Sequence, residues 1–205
     1  MAWKPPVCNT LRGASKYAPL SSHQAKRDPV TIDHMKALHF HLDNTNTFNI
    51  SVFALAWITF WCCCHLGELL INSKFNPVGH VTQFTPVTRG IASNGTRHTS
   101  FIISHMKTIT SRANIYMSDS TCHCSTTTAF KHHLSSNTNI PPTAPLFAFE
   151  TANGQWAPMN GLWFLEGCNE IWAKEGFTLI KGHEFQIGGT THLLLLGFNP
   201  WVVKA

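Results

Sequence analysis

The hydrophobic pattern of the chain centres on the stretch 48–71, which reads FNISVFALAWITFWCCCHLGELLI. Within 50–64 only Ser51 and Thr59 are polar. This run is shorter than the roughly 18 apolar residues of a membrane span, and an apolar run without a polar face is typical of a helix buried on all sides. The pattern therefore predicts a central core helix that ends before His65 and brings that imidazole to the domain surface.

A shorter amphipathic helix is predicted ahead of the central one. Thr31 has the position of an N-cap and Asp33 falls in the first turn. The apolar residues at helical spacing are Ile32, Met35, Leu38 and Leu42. Three histidines, His34, His39 and His41, lie on the same helix, and we expect solvent-exposed imidazoles rather than metal ligands, because no cysteine or acidic ligand set accompanies them.

A β-hairpin is predicted in the middle of the chain. The runs 99–105 and 112–117 are β-prone and are separated by six residues, which place Lys107 at or near the tip. The segment 72–95 has the composition of loops and short strands. Two interpretations of Lys107 remain open, a reachable functional lysine and a gatekeeper charge on an edge hairpin.

The second half of the chain alternates helical and extended patterns. A helix is predicted within 121–137, with Ala129, Phe130 and Leu134 facing inward, and a short extended run at 146–149. Two more helices follow. Their predicted limits are Asn160 and Gly176 for the first, and Gly182 and Gly197 for the second. The inward positions of the first are Leu162, Leu165, Cys168, Ile171 and Trp172, with Cys168 expected to pack rather than react. Together these patterns predict a mainly α domain with a small antiparallel sheet.

Length and composition indicate one domain and an appended segment. A chain of 205 residues, 43% hydrophobic and 12% charged, can bury a substantial core. Residues 1–26 mix Pro, Ser, Gly and Lys without periodicity, so we predict an extended arm or linker there and a folded domain over 27–205.

Charge and cysteine content give weaker indications. The formal net charge of +5 suits an anionic partner such as nucleic acid, but the 15 cationic residues are scattered. Seven cysteines, an odd number with three adjacent at 62–64, favour buried thiols in a reducing compartment. The first residues lack the apolar core of a signal peptide. An intracellular protein without a membrane span is expected.

One alternative is a small zinc- or partner-binding module. Its candidate ligands are Cys122, His123, Cys124, His132 and His133. The Cys-x-Cys spacing is tighter than in usual zinc sites, and no second pair lies at finger spacing. A packed helix explains the segment as well, so we predict no metal and no cofactor.

Two motifs with a lysine between them carry a resemblance to a known family. The first is CHLGELL at 64–70, the second HEFQIGG at 183–189, and Lys107 lies between them. The helix at 163–172 adds a W…FL…CN-x-IW pattern. From about Thr10 to Lys204 the chain resembles the catalytic domain of tyrosine recombinases, the DNA breaking-rejoining enzymes, and especially their fungal transposon-associated branch.

The resemblance implies a specific set of site residues. In that family two arginines bind the scissile phosphate, a lysine protonates the leaving oxygen, a histidine assists proton transfer and a tyrosine attacks phosphorus. Carried over by motif, Lys107 matches the lysine and His183 the histidine, whereas His65 and Gln186 occupy the arginine positions. The nucleophilic tyrosine is expected beyond Ala205, so the domain is expected to be truncated before the helix that bears it.

The resemblance further implies a degenerate, catalytically inactive copy. A domain involved in DNA recombination and integration would keep weak, non-specific binding of double-stranded DNA, a nuclear location and self-association. The chain has 13 histidines against 5 arginines. Arg to His and Arg to Gln are each one CG to CA transition, so a decayed transposon-derived gene explains this ratio.

Overall fold

The computed structural model of the protein describes residues 28–71, 81–83, 85–103, 112–119 and 125–203. The helices in these ranges are α1 (Ile32–His41), α2 (Thr47–Trp61), α3 (Leu66–Leu69), α4 (Thr126–Ser136), α5 (Gly161–Lys174), α6 (His183–Leu195) and α7 (Pro200–Val203). The strands are β1 (Val87–Ile91), β2 (Arg97–Ile103), β3 (Ala113–Ser118), β4 (Phe149–Glu150) and β5 (Trp156–Ala157). The predicted mainly α fold with small antiparallel sheets is confirmed. None of the helices in the described ranges has the length and apolarity to cross a bilayer. The predicted arm, 1–26, lies outside these ranges.

Helix α2 is the predicted central helix. It begins at the cap Asn46, whose side chain accepts a hydrogen bond from the Asn49 backbone at 3.1 Å. All side chains over 50–60 are buried. The two polar residues of this buried run are Ser51 and Thr59, and their hydroxyls donate to the carbonyls four residues earlier. These bonds within the helix allow the run to be buried on every face.

Helix α1 has the predicted start but not the predicted exposure of its histidines. Thr31 caps it, as expected. His34 is buried, however, with its ring stacked on Phe177 at 4.3 Å and edge-on to Trp172 at 5.1 Å. Burial lowers the pKa of His34. The expectation of a solvent-exposed imidazole is wrong here, because α5 and the chain after it cover the side of α1 that carries His34.

The main sheet has the strand order β1-β2-β3, and both pairs are antiparallel. Phe101 lies opposite Ile115, and both side chains are buried. Phe101 also stacks on Phe130 of α4 at 5.4 Å, so this face of the sheet packs on α4. The predicted pairing of two strands in this region is confirmed. The position of Lys107 stays a prediction, since 104–111 lies outside the described residues.

Helix α4 places His133 inside the core. Its Nδ1 lies 2.9 Å from the Ser51 hydroxyl on α2, and its Nε2 lies 2.8 Å from the Leu146 carbonyl. Both ring nitrogens therefore have partners, which a fully buried imidazole needs. Burial lowers the pKa of His133 to about 4, against the opposing effect of the Leu146 hydrogen bond. As predicted, Ala129 and Phe130 also face inward.

Two predictions for the second half of the chain need correction. Of the expected extended run 146–149 only Phe149 is in a strand, because Leu146 and Phe147 form a buried turn beneath His133. Leu162 was expected to face inward but is 65% exposed. Leu162 lies in the first turn of α5. Its position continues the helical spacing of the buried residues, but the core does not extend far enough to cover its side chain. Cys168 is fully buried, as expected for a packing residue.

Acidification should destabilise the protein through His133. Unfolded, this imidazole has an ordinary pKa near 6.5, and in the fold it has one of about 4. Between these values the unfolded chain binds a proton that the folded chain excludes. The contribution is therefore fully present above about pH 6.5 and is lost as the pH falls towards 4, a change on the order of 3 kcal/mol.

Urea denaturation at several pH values measures this effect. His133→Gln should flatten the dependence between pH 6.5 and 4, whereas His132→Gln, at the exposed neighbouring position, should keep it. Equal pH dependence in the His133→Gln variant and the wild type would contradict the assignment.

Candidate functional site

The two sequence motifs meet in space at a pair of histidines. The rings of His65 and His183 are parallel within 8°, and their centroids lie 5.5 Å apart. His65 precedes α3, and His183 is the first residue of α6. Side chains far apart in the chain are thus brought into contact at one place.

The backbone after α2 positions His65. The chain reverses at Cys63, a non-glycine residue with a φ of 52°. His65 then caps α3, and its backbone N–H donates to the Glu68 carboxylate at 3.0 Å. Glu68 is therefore part of the local structure that orients His65, whereas the hydrophobic pattern alone predicted only that His65 lies at the domain surface.

Glycines of the second motif position His183. A Cβ atom at Gly189 would overlap the carbonyl oxygen of Phe60, and one at Gly188 would overlap that of Val30. Helix α6 therefore lies with its backbone directly against the end of α2 and the segment before α1. The Val30 N–H also donates to the Glu184 carbonyl at 3.1 Å. This close approach fixes the start of α6.

Gly182, immediately before α6, completes the contact between the two motifs. A Cβ atom there would clash with the Leu66 side chain of the first motif. Leu66 follows His65 in the chain, and Gly182 precedes His183. The residues adjacent to the two histidines thus pack on each other, which explains why the imidazoles are stacked.

Of the other two predicted site residues, only Gln186 is among the residues that the structure describes. Gln186 is half-buried and lies three residues after His183 on α6, so the two side chains share a helix face. Lys107 lies outside the described residues. The structure therefore places His65 beside His183, with Gln186 about one helical turn after His183. The convergence of Lys107 with these residues stays a prediction.

This arrangement can donate hydrogen bonds to an anion. Imidazole N–H groups and a carboxamide can donate hydrogen bonds, and the 13-residue helix α6 has its positive end at His183. None of these groups carries the permanent charge or the planar fork of a guanidinium. The site can therefore bind a phosphate oxygen, but more weakly than an arginine pair would.

Comparison with known proteins gives matches among solved structures only. No family model matches the chain, and no curated protein does. The chain is similar to a Flpe–Holliday junction complex, with a TM-score of 0.55 and 11% identity. It is also similar to FLP recombinase–Holliday junction complex I and to a mutant Flpe–DNA Holliday junction complex, each with a TM-score of 0.53 and 10% identity.

The matched region covers 96% of this chain and 49–50% of each of those chains, so the chain spans about half their length. At this identity the likeness concerns the fold. The protein has a tyrosine recombinase-like fold. This confirms the fold that the two motifs and the hairpin implied, whereas the fungal transposon-associated branch and the loss of activity stay predictions.

Within this recombinase-like fold, the histidines of the alternative zinc module have separate surroundings. His132 is exposed and lies 3.2 Å from the Asn44 carbonyl, whereas His133 is occupied in the core. Residues 122–124 are outside the described part. Among the residues that the structure does describe, no three His, Cys, Asp or Glu side chains are grouped so that they could hold a metal ion.

Sequence reasoning missed a cluster of cations elsewhere on the fold. It treated the basic residues as scattered, yet Arg89, Arg97 and Lys131 surround one pocket. The available signal was the position of Arg89 and Arg97 on either side of the turn 92–96, because a hairpin at this turn would bring the two arginines together.

Substituting Gly189 with Ala should destabilise the fold and the histidine pair. The added Cβ meets a backbone carbonyl, which cannot move away as a side-chain end can. We expect a loss of roughly 3 kcal/mol, the upper part of the usual range for overpacking. Chemical denaturation measures the loss.

Gly167→Ala is the matched control in α5. Its Cβ would meet the Phe48 side chain at 3.3 Å, which can yield, and Ala favours the helix. Its stability should stay within about 1 kcal/mol of the wild type. A Gly189→Ala protein as stable as this control would show that the close approach of α6 is not required.

Proposed function

We propose that this chain is a DNA-binding domain of the tyrosine recombinase type that holds a backbone phosphate without cleaving the strand. The observation that carries the proposal is the contact of His65 with His183, at the positions where the two motifs put phosphate-binding and proton-transferring residues. The similarity of the fold to recombinases solved in Holliday junction complexes supports it.

Binding at this site is weak in the proposal. A neutral hydrogen bond contributes a net of about 0.5–1.5 kcal/mol, whereas one to a charged group contributes about 1.5–3 kcal/mol. With His65 and Gln186 in place of guanidinium groups, affinity depends largely on Lys107 and on the general positive charge of the chain. The expected dissociation constant is that of non-specific binding, about 10⁻⁴ to 10⁻⁶ M at physiological salt.

Strand cleavage is absent in the proposal because the chain has no tyrosine suited to attack phosphorus. It contains two tyrosines. Tyr116 is exposed on β3, with its ring edge-on to His98 at 5.2 Å. Tyr17 belongs to the predicted arm, outside the described residues. Loss of one oxyanion donor further costs on the order of 3 kcal/mol of transition-state stabilisation.

The origin of the gene is part of the same proposal. A decayed, transposon-derived recombinase gene explains His65 and Gln186 by single transitions in arginine codons, and its product would act in the nucleus and associate with itself. Sequencing the locus tests the origin, because His and Gln codons that no single CG to CA transition produces from an arginine codon would contradict it.

The wild-type chain should bind duplex DNA in a salt-dependent and sequence-independent way. Fluorescence anisotropy with two unrelated duplexes of about 20 base pairs, between 50 and 200 mM salt, gives the slope of log K against log salt. Lys107→Gln should reduce the magnitude of this slope by about one, the effect of one lost phosphate contact.

Lys36→Gln is the control for this experiment. Lys36 forms an exposed ion pair with Asp33 on α1 at 2.9 Å, so its removal should leave the slope unchanged. No binding at 50 mM salt, or affinity that ignores salt, would contradict the proposed function.

Restoring both arginines should strengthen phosphate binding without restoring cleavage. His65→Arg with Gln186→Arg gives two guanidinium forks near His183, so vanadate should bind at least 10-fold more tightly by calorimetry, as expected from two charge-assisted contacts. A suicide DNA substrate should still give no covalent adduct, because the nucleophile is not supplied.

The matched control makes the same two replacements elsewhere. His132→Arg with Gln155→Arg adds equal charge at exposed positions on α4 and in the β4–β5 turn, and should leave vanadate binding unchanged. A phosphotyrosyl adduct of the wild type, mapped to Tyr17 or Tyr116, would overturn the inactive assignment.

A further inference from the structure

A second, separate group of basic side chains lines a pocket at one end of the main sheet. The pocket has a volume of about 350 Å³. The residues that line it include Arg89, Ile91, Arg97, His98, Asp119 and Lys131. It lies where β1 ends and β2 begins, beside α4, and the sequence motifs do not include any of its residues.

The strand register explains how the two arginines come together. Arg89 lies opposite Thr99, and Arg97 lies opposite Ile91. Because opposite residues of antiparallel strands share a face, both arginines project from the same face of the sheet as diagonal neighbours. This face is buried further along β2, at Phe101, but it is exposed at Arg97. The core therefore ends before the arginines, and a pocket forms there.

Charge in the pocket is unbalanced. Among the described residues, Arg89, Arg97 and Lys131 form no ion pair within 4 Å, whereas Lys36 and Lys174 pair with neighbouring carboxylates on their own helices. Three cations that share one site repel each other unless an anion joins them.

Asp119 is the one carboxylate of the pocket, and it already has partners. It accepts a hydrogen bond from the Thr99 hydroxyl at 3.1 Å. Burial by itself would raise the pKa of Asp119. Hydrogen bonds from the Thr127 and Thr99 side chains and the charges of Lys131 and Arg89 outweigh this effect, so the pKa lies below its usual value. Asp119 is thus an anion that orders the pocket wall, and cations outnumber it three to one.

Aromatic rings lie on the other face of the same strands, because His98 follows Arg97 and successive side chains of a strand point to opposite faces. His98 lines the pocket and contacts the ring of Tyr116, which is 57% exposed. The His98 ring also covers Gly90, where a Cβ atom would clash with it. Two guanidinium forks and a lysine around one pocket suit a phosphate group, which a nucleic acid strand and a free phosphate ion both offer.

We propose that this pocket binds a phosphate of a nucleic acid strand and forms a second backbone contact of the domain, separate from the His65–His183 site. The inference rests on the proposed DNA-binding function. Strand β2 has seven residues and spans about 20 Å. The pocket at the start of β2 therefore lies about that far from Ile103 at its end, a distance of about six base pairs along a duplex.

Removing the two guanidinium groups tests the proposal. Arg89→Gln with Arg97→Gln should weaken binding of a duplex of about 20 base pairs by 10-fold or more at 50 mM salt, and should reduce the magnitude of the salt slope by about one to two. The matched control, Lys36→Gln with Lys174→Gln, removes the same charge from the exposed ion pairs and should stay within about 2-fold of the wild type. Lys131→Gln, on a different element, should weaken binding in the same direction even if the double variant folds poorly.

The outcomes separate this pocket from the proposed function. If the wild type binds DNA and Lys107→Gln weakens it while the double variant and Lys131→Gln match the control, the pocket proposal is overturned and the proposed function stands. If the wild type binds no duplex at 50 mM salt, both are overturned. Thermal shift with inorganic phosphate is the second arm: protection lost in the double variant, with DNA binding unchanged, would show a small phosphate ligand instead and overturn the nucleic acid assignment.

Discussion

The direct backbone contact of α6 with α2 is the constraint on which the site depends. Helices usually pack through side chains with their axes 8–10 Å apart. Here Gly189 meets the Phe60 carbonyl and Gly188 meets the Val30 carbonyl, so no side chain separates the backbones. The start of α6 is then fixed against the end of α2. His183 begins α6, and His65 lies four residues after the end of α2, so this contact brings the two histidines near each other, and the packing of Gly182 on Leu66 completes their stacking.

Buried polar groups make the core specific as well as stable. Helix α2 could pack in many ways if it presented only apolar side chains, because hydrophobic contact is not directional. His133 removes that freedom, since its ring nitrogens need the Ser51 hydroxyl and the Leu146 carbonyl together. His34 similarly fills a place between Trp172 and Phe177. Burial lowers the pKa of both imidazoles, and their presence favours one register of α4 and α1 against the core.

Electrostatics divides the described surface into two regions of different strength. At the His65–His183 pair the groups are imidazoles at a helix start, without the permanent charge of a guanidinium. At the end of the sheet, Arg89, Arg97 and Lys131 provide permanent charge in a pocket. Of these two regions, the end of the sheet therefore has the stronger attraction for an anion.

The sequence by itself determined the local elements and the fold that they form. Thr31 and Asn160 cap helices as predicted, and the apolar run before Cys64 is a core helix, because caps and helical spacing act within a few residues. Only the tertiary structure decided which histidines are buried, which pair with each other and which cations gather. Ser51 and His133 are 82 positions apart, and no local pattern encodes their hydrogen bond. The contact between His65 and His183 likewise depends on helix packing, and the diagonal placement of Arg89 and Arg97 depends on strand register. Both bring together residues that the linear pattern leaves separate.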